Sequence, residues 1–146
     1  MRRYIEEFES YLIFEKKYSK NTSQSYIRDL NGLCDYVNDE KWDGIDKKTI
    51  EKYINYLSER LDSRSISRNI STFKSFFKYL KLNKVVNNNP MDAINNPKIK
   101  KSLPKVLSEE EVDALLDIDL NDDFDFRNKA MLEVMYSSGL RVSELI

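Results

Sequence analysis

Along residues 64–82 apolar side chains return every three or four positions: Ile66, Ile70, Phe73, Phe77 and Leu80. At about 100° per residue these five lie within about 40° of one direction, which predicts a helix docked by one face. The same period recurs elsewhere. Residues 2–17 place Ile5, Phe8 and Leu12 on a stripe, and residues 22–38 do so with Tyr26, Leu30, Leu33 and Val37. Ser19, Asn21 and Thr22 are candidate caps for that second helix. Asp46 is placed to cap a third helix carrying Ile50, Ile54, Leu57 and Leu61 on one face. The chain holds 3 Gly and 3 Pro in 146 residues, too few turn formers for an all-β sandwich, so the class expected is all-α, with five or six helices.

Punctuation further along divides the chain. Asn89-Pro90 reads as a cap followed by proline at the first helical position, opening a short helix through Ile94. Asn95 to Lys105 then carries two of the prolines and four lysines; each proline biases Asn96 or Leu103 away from helix, and a domain boundary is expected here. Ser108 to Glu111 forms a capping box, with Leu107 and Val112 placed as a hydrophobic staple, for a helix to about Leu116. A last long helix is expected from about Phe126 to Ser138, ended by Gly139 in the left-handed conformation. The carboxylates of Asp117 to Asp125 lack an ordered ligand spacing and read as a solvated turn.

Composition then excludes whole classes of chemistry. There is no histidine, so no histidine-based acid–base catalysis and no histidine-ligated metal within the chain. The single cysteine, Cys34, excludes an internal disulfide and reads as a small core residue. No ordered set of metal ligands and no glycine-rich phosphate loop is present. No apolar run nears the roughly 20 residues of a membrane helix, and the first residues are not a signal peptide; the expected partners include no membrane and the expected setting is a reducing cytoplasm.

The net charge of −1 hides a strong asymmetry. Residues 1–61 hold 11 basic and 12 acidic groups, residues 62–105 hold 10 and 2, and residues 106–146 hold 3 and 11, so the net charges are −1, +8 and −8. The basic block includes the back of the fourth helix. Opposite its apolar stripe stand Arg64, Arg68, Ser71, Ser75 and Lys78, at i, i+4, i+7, i+11 and i+14. No acid occurs between Arg64 and Lys84. Arginine meets phosphates or a guanine edge with a two-pronged fork, and small hydroxyl residues let a helix approach closely, so this face points to double-stranded DNA. An ordinary solvated face usually mixes glutamate with lysine. The start of the second helix, Lys20 to Ser25, is also free of acids; Lys20, Thr22 and Ser25 are its candidate contacts, with a plain capping run as the competing reading.

Residues 127–145 read RNKAMLEVMYSSGLRVSEL. A helix, a glycine and then Leu-Arg-Val-Ser-Glu-Leu resembles the first catalytic motif of the tyrosine recombinases (the phage integrase family), closest to the Xer-type enzymes. Asn21 to Leu30, Phe76 to Leu80, Asn89-Pro90 and Leu103 to Ser108 resemble other stretches of that family, so the likeness spans the chain. It implies an N-terminal four-helix SAM-like core-binding domain over residues 1–95, an inter-domain linker over 96–106, and the first helices of a mixed α/β catalytic domain over 107–146. It implies site-specific recombination of the chromosome-dimer-resolution type, with other recombinase protomers as partners and no metal or high-energy cofactor. It makes Arg141 the first catalytic arginine; Glu144, one turn on, is placed to orient it, and by their charge the linker lysines Lys98, Lys100, Lys101 and Lys105 are further candidate DNA contacts. The family's later histidine, second arginine and tyrosine nucleophile have no counterpart here, so the expectation is a truncated chain, inactive alone. A stand-alone DNA-binding module or recombinase antagonist, and a helical protein–protein adaptor, are the alternatives.

Overall fold

The computed structural model describes residues 1–38, 41–97 and 106–146. The regular elements among these residues are all helical, with no strand. They belong to two compact units, Met1–Lys100 and Lys101–Ile146.

The first unit is built from α1 (Arg2–Ser10), α2 (Lys20–Tyr36), α3 (Lys47–Ser58) and α4 (Ser63–Leu82). Three of the four start on side-chain caps that the backbone requires at a helix N-terminus. Ser19 accepts from the Thr22 N–H, Asp46 from Thr49 and Asp62 from Ser65. Those bonds hold the Asp46 and Asp62 carboxyls below their ordinary values. Lys17, Asn38 and Lys84 turn left-handed, with φ of 53°, 52° and 58°, just beyond helical stretches. The glycine-poor sequence thus ends its helices on other residues, at a conformational cost that asparagine bears most easily.

The expected first helix is present in altered form. After Ser10 it widens into a π turn, Tyr11–Glu15, in which the Lys16 N–H donates to the Tyr11 carbonyl at 3.1 Å. Ile5, Phe8 and Leu12 are all buried, as their spacing requires, while Phe14 stands 77% exposed. The expected face of α3 loses one member. The helix stops at Ser58, and Leu61 lies in the following turn, exposed. Asn89-Pro90 opens no helix; residues 90–93 make a single turn, with Asn89 Oδ1 accepting from the Met91 N–H at 3.0 Å.

α4 is the central helix, packed against α1, α2 and α3. Its buried face is wider than the five-residue stripe, because Asn69, Thr72 and Phe76 join it. Phe76 lies 5.1 Å from Phe8 and 4.7 Å from Trp42, ring centre to ring centre, both edge-on. Trp42 is buried in a short 3-10 turn and donates from Nε1 to the Met1 carbonyl at 3.1 Å, tying down the N-terminus. Cys34 is buried in this core, as read from the sequence. Gly32 of α2 is required by close approach: a Cβ there would stand 2.7 Å from the Tyr53 hydroxyl. Burial pushes that tyrosine up to about 12.

The second unit contains α5 (Glu109–Leu116), α6 (Asp123–Ser138) and α7 (Val142–Leu145). The capping box at Ser108 and Glu111 is complete, and Gly139 ends α6 at φ 67°. Leu107 of the expected staple remains exposed. The solvated-turn reading of the Asp117 to Asp125 stretch needs correction at its end. Asp122 caps α6 and Asp123 and Asp125 form its first turn, where carboxylates favour the helix dipole. Among the described residues of this unit, Val112 is the buried apolar side chain.

Candidate nucleic-acid interface

The outer face of α4 carries the sequence-predicted residues on one side of the helix. Arg64, Arg68 and Lys78 are exposed, and Ser71 and Ser75 half-buried between them. The Ser71 hydroxyl donates to the Ser67 carbonyl at 2.9 Å, which folds it against its own helix and keeps the middle of the face low. The stripe is about 14 residues long, some 21 Å at the helical rise.

This face lacks acids in sequence but not in space. Asp29 of α2 is buried beneath it and takes Arg68 in a fork: Nε donates to Oδ2 at 3.0 Å and Nη2 to Oδ1 at 2.9 Å. The Thr72 hydroxyl donates to the same Oδ2 at 3.3 Å. The Arg68 side chain is 44% exposed and the Asp29 side chain 5%. The hydrogen bond to Asp29 lifts the guanidinium above its ordinary value, against a smaller cost of burial. Arg68 is therefore a bolt between α2 and α4 as well as part of the face. No local pattern announces Asp29, which lies 39 positions from its partner.

The three candidates on α2 do not form one contact element. Lys20 lies about 160° around the helix from Thr22 at 100° per residue. Thr22 and Ser25 share the side of Asp29, toward α4. Their hydroxyls are occupied locally, Thr22 Oγ1 with Ser19 Oγ at 2.9 Å and Ser25 donating to the Asn21 carbonyl at 2.8 Å. Lys20 instead shares its side with Gln24 and Arg28 at i+4 and i+8. Arg28, exposed, is the cation that the sequence reading passed over. Its four-residue spacing from Gln24 and Lys20 is the signal that finds it. Lys98, Lys100, Lys101 and Lys105 lie outside the described residues.

Arg141 follows the left-handed Gly139 and precedes α7, with its side chain 81% exposed. Glu144 touches it twice. Its Oε2 accepts from the Arg141 backbone N–H at 2.7 Å, and its Oε1 from Nη1 at 3.1 Å. The first contact is half of a capping box; arginine has no acceptor to supply the other half. The second is a surface ion pair that orients the guanidinium and adds little stability. Among the described residues no cluster of His, Cys, Asp or Glu is placed to hold a metal. No described helix is long and apolar enough to cross a membrane.

Comparison with known proteins places this geometry. Residues 5–84 match the family described as "Phage integrase, N-terminal SAM-like domain", and residues 105–146 match the "Phage integrase family". The chain is 42% identical over 147 residues to a protein named tyrosine recombinase XerD from Oceanobacillus iheyensis, across 97% of this chain and 50% of that one. It is 33% identical over 157 residues to a tyrosine recombinase XerC from Syntrophus aciditrophicus, across 99% and 51%. The solved integrase of mycobacterium phage Brujita shares the fold, with a TM-score of 0.60 at 21% identity, across 96% of this chain and 46% of that one. The chain spans about half the length of the curated relatives it matches. The class is thus that of the SAM-like helical integrase domains. The chain belongs to the phage integrase family, the tyrosine recombinases, with Xer-type relatives at 33% to 42% identity.

Proposed function

We propose that this stretch is the DNA-binding part of a site-specific recombinase, acting in the cytoplasm on double-stranded DNA together with other recombinase protomers. The observation that carries the reading is the outer face of α4: three cations and two small hydroxyl residues in line, with no exposed carboxylate inside the helix. In this reading residues 1–95 form the core-binding domain, 96–106 the linker, and 107–146 the beginning of the catalytic domain. Arg64, Arg68, Ser71 and Lys78 meet the duplex from α4, and Thr22 and Ser25 extend that face from α2. Lys20 reaches phosphates from the other side of α2, and Lys98, Lys100, Lys101 and Lys105 do so from the linker.

Arg141 supplies the first piece of the chemistry. Attack on a phosphodiester builds negative charge on its non-bridging oxygens, and a permanently charged planar fork stabilises that charge. Glu144 holds the guanidinium by one nitrogen and leaves most of it exposed. By itself this stretch contains no histidine to serve as a proton donor, and we assign it binding without strand cleavage. Dimer resolution is the biological role that the Xer-type likeness favours.

The test is fluorescence anisotropy with a mixed-sequence duplex across a salt series. Arg64→Ala combined with Lys78→Ala should lower the slope of log K against log salt by about two, one for each phosphate no longer neutralised. An unchanged slope and affinity would remove the α4 face from the interface. The same chain incubated with a nicked duplex should leave no covalent adduct on a denaturing gel, and an adduct would refute the assignment of binding alone.

A further inference from the structure

The contact between Asp29 and Arg68 does more than join two helices. We propose that Asp29 is a positioning residue that holds Arg68 as a fixed reader of a guanine base. The inference rests on the DNA-binding reading above and names what that face recognises. A guanidinium has five N–H donors in one plane. Asp29 occupies the side edge, one N–H of Nε and one of Nη2. The end edge, with one N–H from each Nη, then lies in the same plane and is turned away from the carboxylate. Thr72 donates to the carboxylate oxygen that Nε uses, so the acceptor itself is held in place.

Exposure separates the two partners. The carboxylate is nearly closed to solvent while almost half of the arginine side chain is open. A ligand therefore meets the positive end edge and not the acid behind it. Ser71, folded onto its own helix beside Arg68, leaves room for a groove to come close. Guanine offers two parallel acceptors, O6 and N7, on its major-groove edge, matched to two parallel donors; cytosine offers a donor there instead. Phosphates are left to the other two cations of this face, Arg64 and Lys78. An arginine whose torsions are already fixed loses less entropy on contact, and it rejects a base that leaves its donors unpaired.

The experiment selects binding sites from a randomised duplex library with the wild-type chain, Asp29→Asn, Arg68→Ala and Arg68→Lys. Preferences are then confirmed by competition between single-pair variants of the selected duplex, and folding is followed by thermal melts at Trp42. The wild type should require one G·C pair strongly. Arg68→Ala and Asp29→Asn should both lose that requirement, by about 5- to 150-fold in discrimination at that pair, and keep the other positions. Arg68→Lys keeps the charge and loses the fork; it should show the same loss, and it decides the matter if Asp29→Asn does not melt cooperatively. If Asp29→Asn and Arg68→Lys instead weaken all duplexes equally, with the base preference intact, the role of Asp29 is only structural and the proposal falls. Salt-dependent binding by the wild type with no selected G·C pair would overturn this inference and leave the DNA-binding reading standing. No binding to any duplex would overturn both.

Discussion

The two units obey the same local rules and differ in what those rules achieve. In Met1–Lys100, four helices converge on a continuous core from Ile5 to Ile94, with Phe8, Phe73, Phe76 and Phe77 fully enclosed. In Lys101–Ile146, α5 has a complete capping box, and α6 has an aspartate cap and a glycine end. Yet α6 buries no residue, and Phe124, Phe126, Val134 and Tyr136 are exposed. Caps and propensities decide where helices start and stop. Stability comes from the apolar surface they hide from one another. The second unit shows helix formation with little of that return.

The largest test of this contrast is a pair of truncations. Phe76→Ala removes a ring packed against Phe8, Trp42 and Phe77 and should cost about 3–5 kcal/mol. Met135→Ala, on the half-exposed face of α6, should leave the same melt nearly unchanged. The one tryptophan, Trp42, reports only on the first unit, so urea unfolding followed by its fluorescence separates the two. Equal losses would mean that the units unfold as one.

Next in size is Gly32→Ala. Alanine gains about 1 kcal/mol of helix propensity. The added methyl meets the Tyr53 hydroxyl in a packed tyrosine cluster, where overpacking costs about 1–3 kcal/mol. A net loss of about 1 kcal/mol is expected. Combining it with Tyr53→Phe should reverse the sign of the Gly32→Ala effect. A double-mutant cycle with no coupling would mean that the hydroxyl does not limit the approach of α2 and α3.

Caps sharpen the comparison further. Ser19→Ala should cost about 1 kcal/mol in the Trp42 melt. Ser108→Ala removes the corresponding cap from α5 and should lower helicity by circular dichroism without moving that melt. The smallest effect is that of pH. Backbone N–H donors hold Asp46 and Asp62 below the ordinary carboxylate value of about 3.9. The folded chain binds these two protons less readily than the unfolded one, so their contribution is complete above the ordinary value. It is lost as pH falls through the lower folded values. A thermal series from neutral pH downward should show a decline confined to the acid end, and Asp46→Asn with Asp62→Asn should flatten it.

The legible part of the fold was its periodicity. Ile66, Ile70, Phe73, Phe77 and Leu80 all fall in the core, and Ser19, Asp46, Ser108 and Gly139 all stand at helix ends. Each depends on neighbours within one or two turns, which a sequence displays directly. The turn at Asn89-Pro90 was misread because a cap and a proline license a helix without supplying the packing that extends it. Of the candidate interface, the α4 stripe was legible because a helix turns its own residues predictably. Lys20, Thr22 and Ser25 were grouped by adjacency although α2 sends them to different sides. By itself the sequence determined the helices, their caps, the acid-free stripe of α4 and the motif around Arg141. Only the tertiary structure decided that Asp29 lies beneath that stripe with Arg68 in its grip. Chain distance carries no information on which buried carboxylate meets which arginine; that pairing exists only once the core has brought α2 against α4.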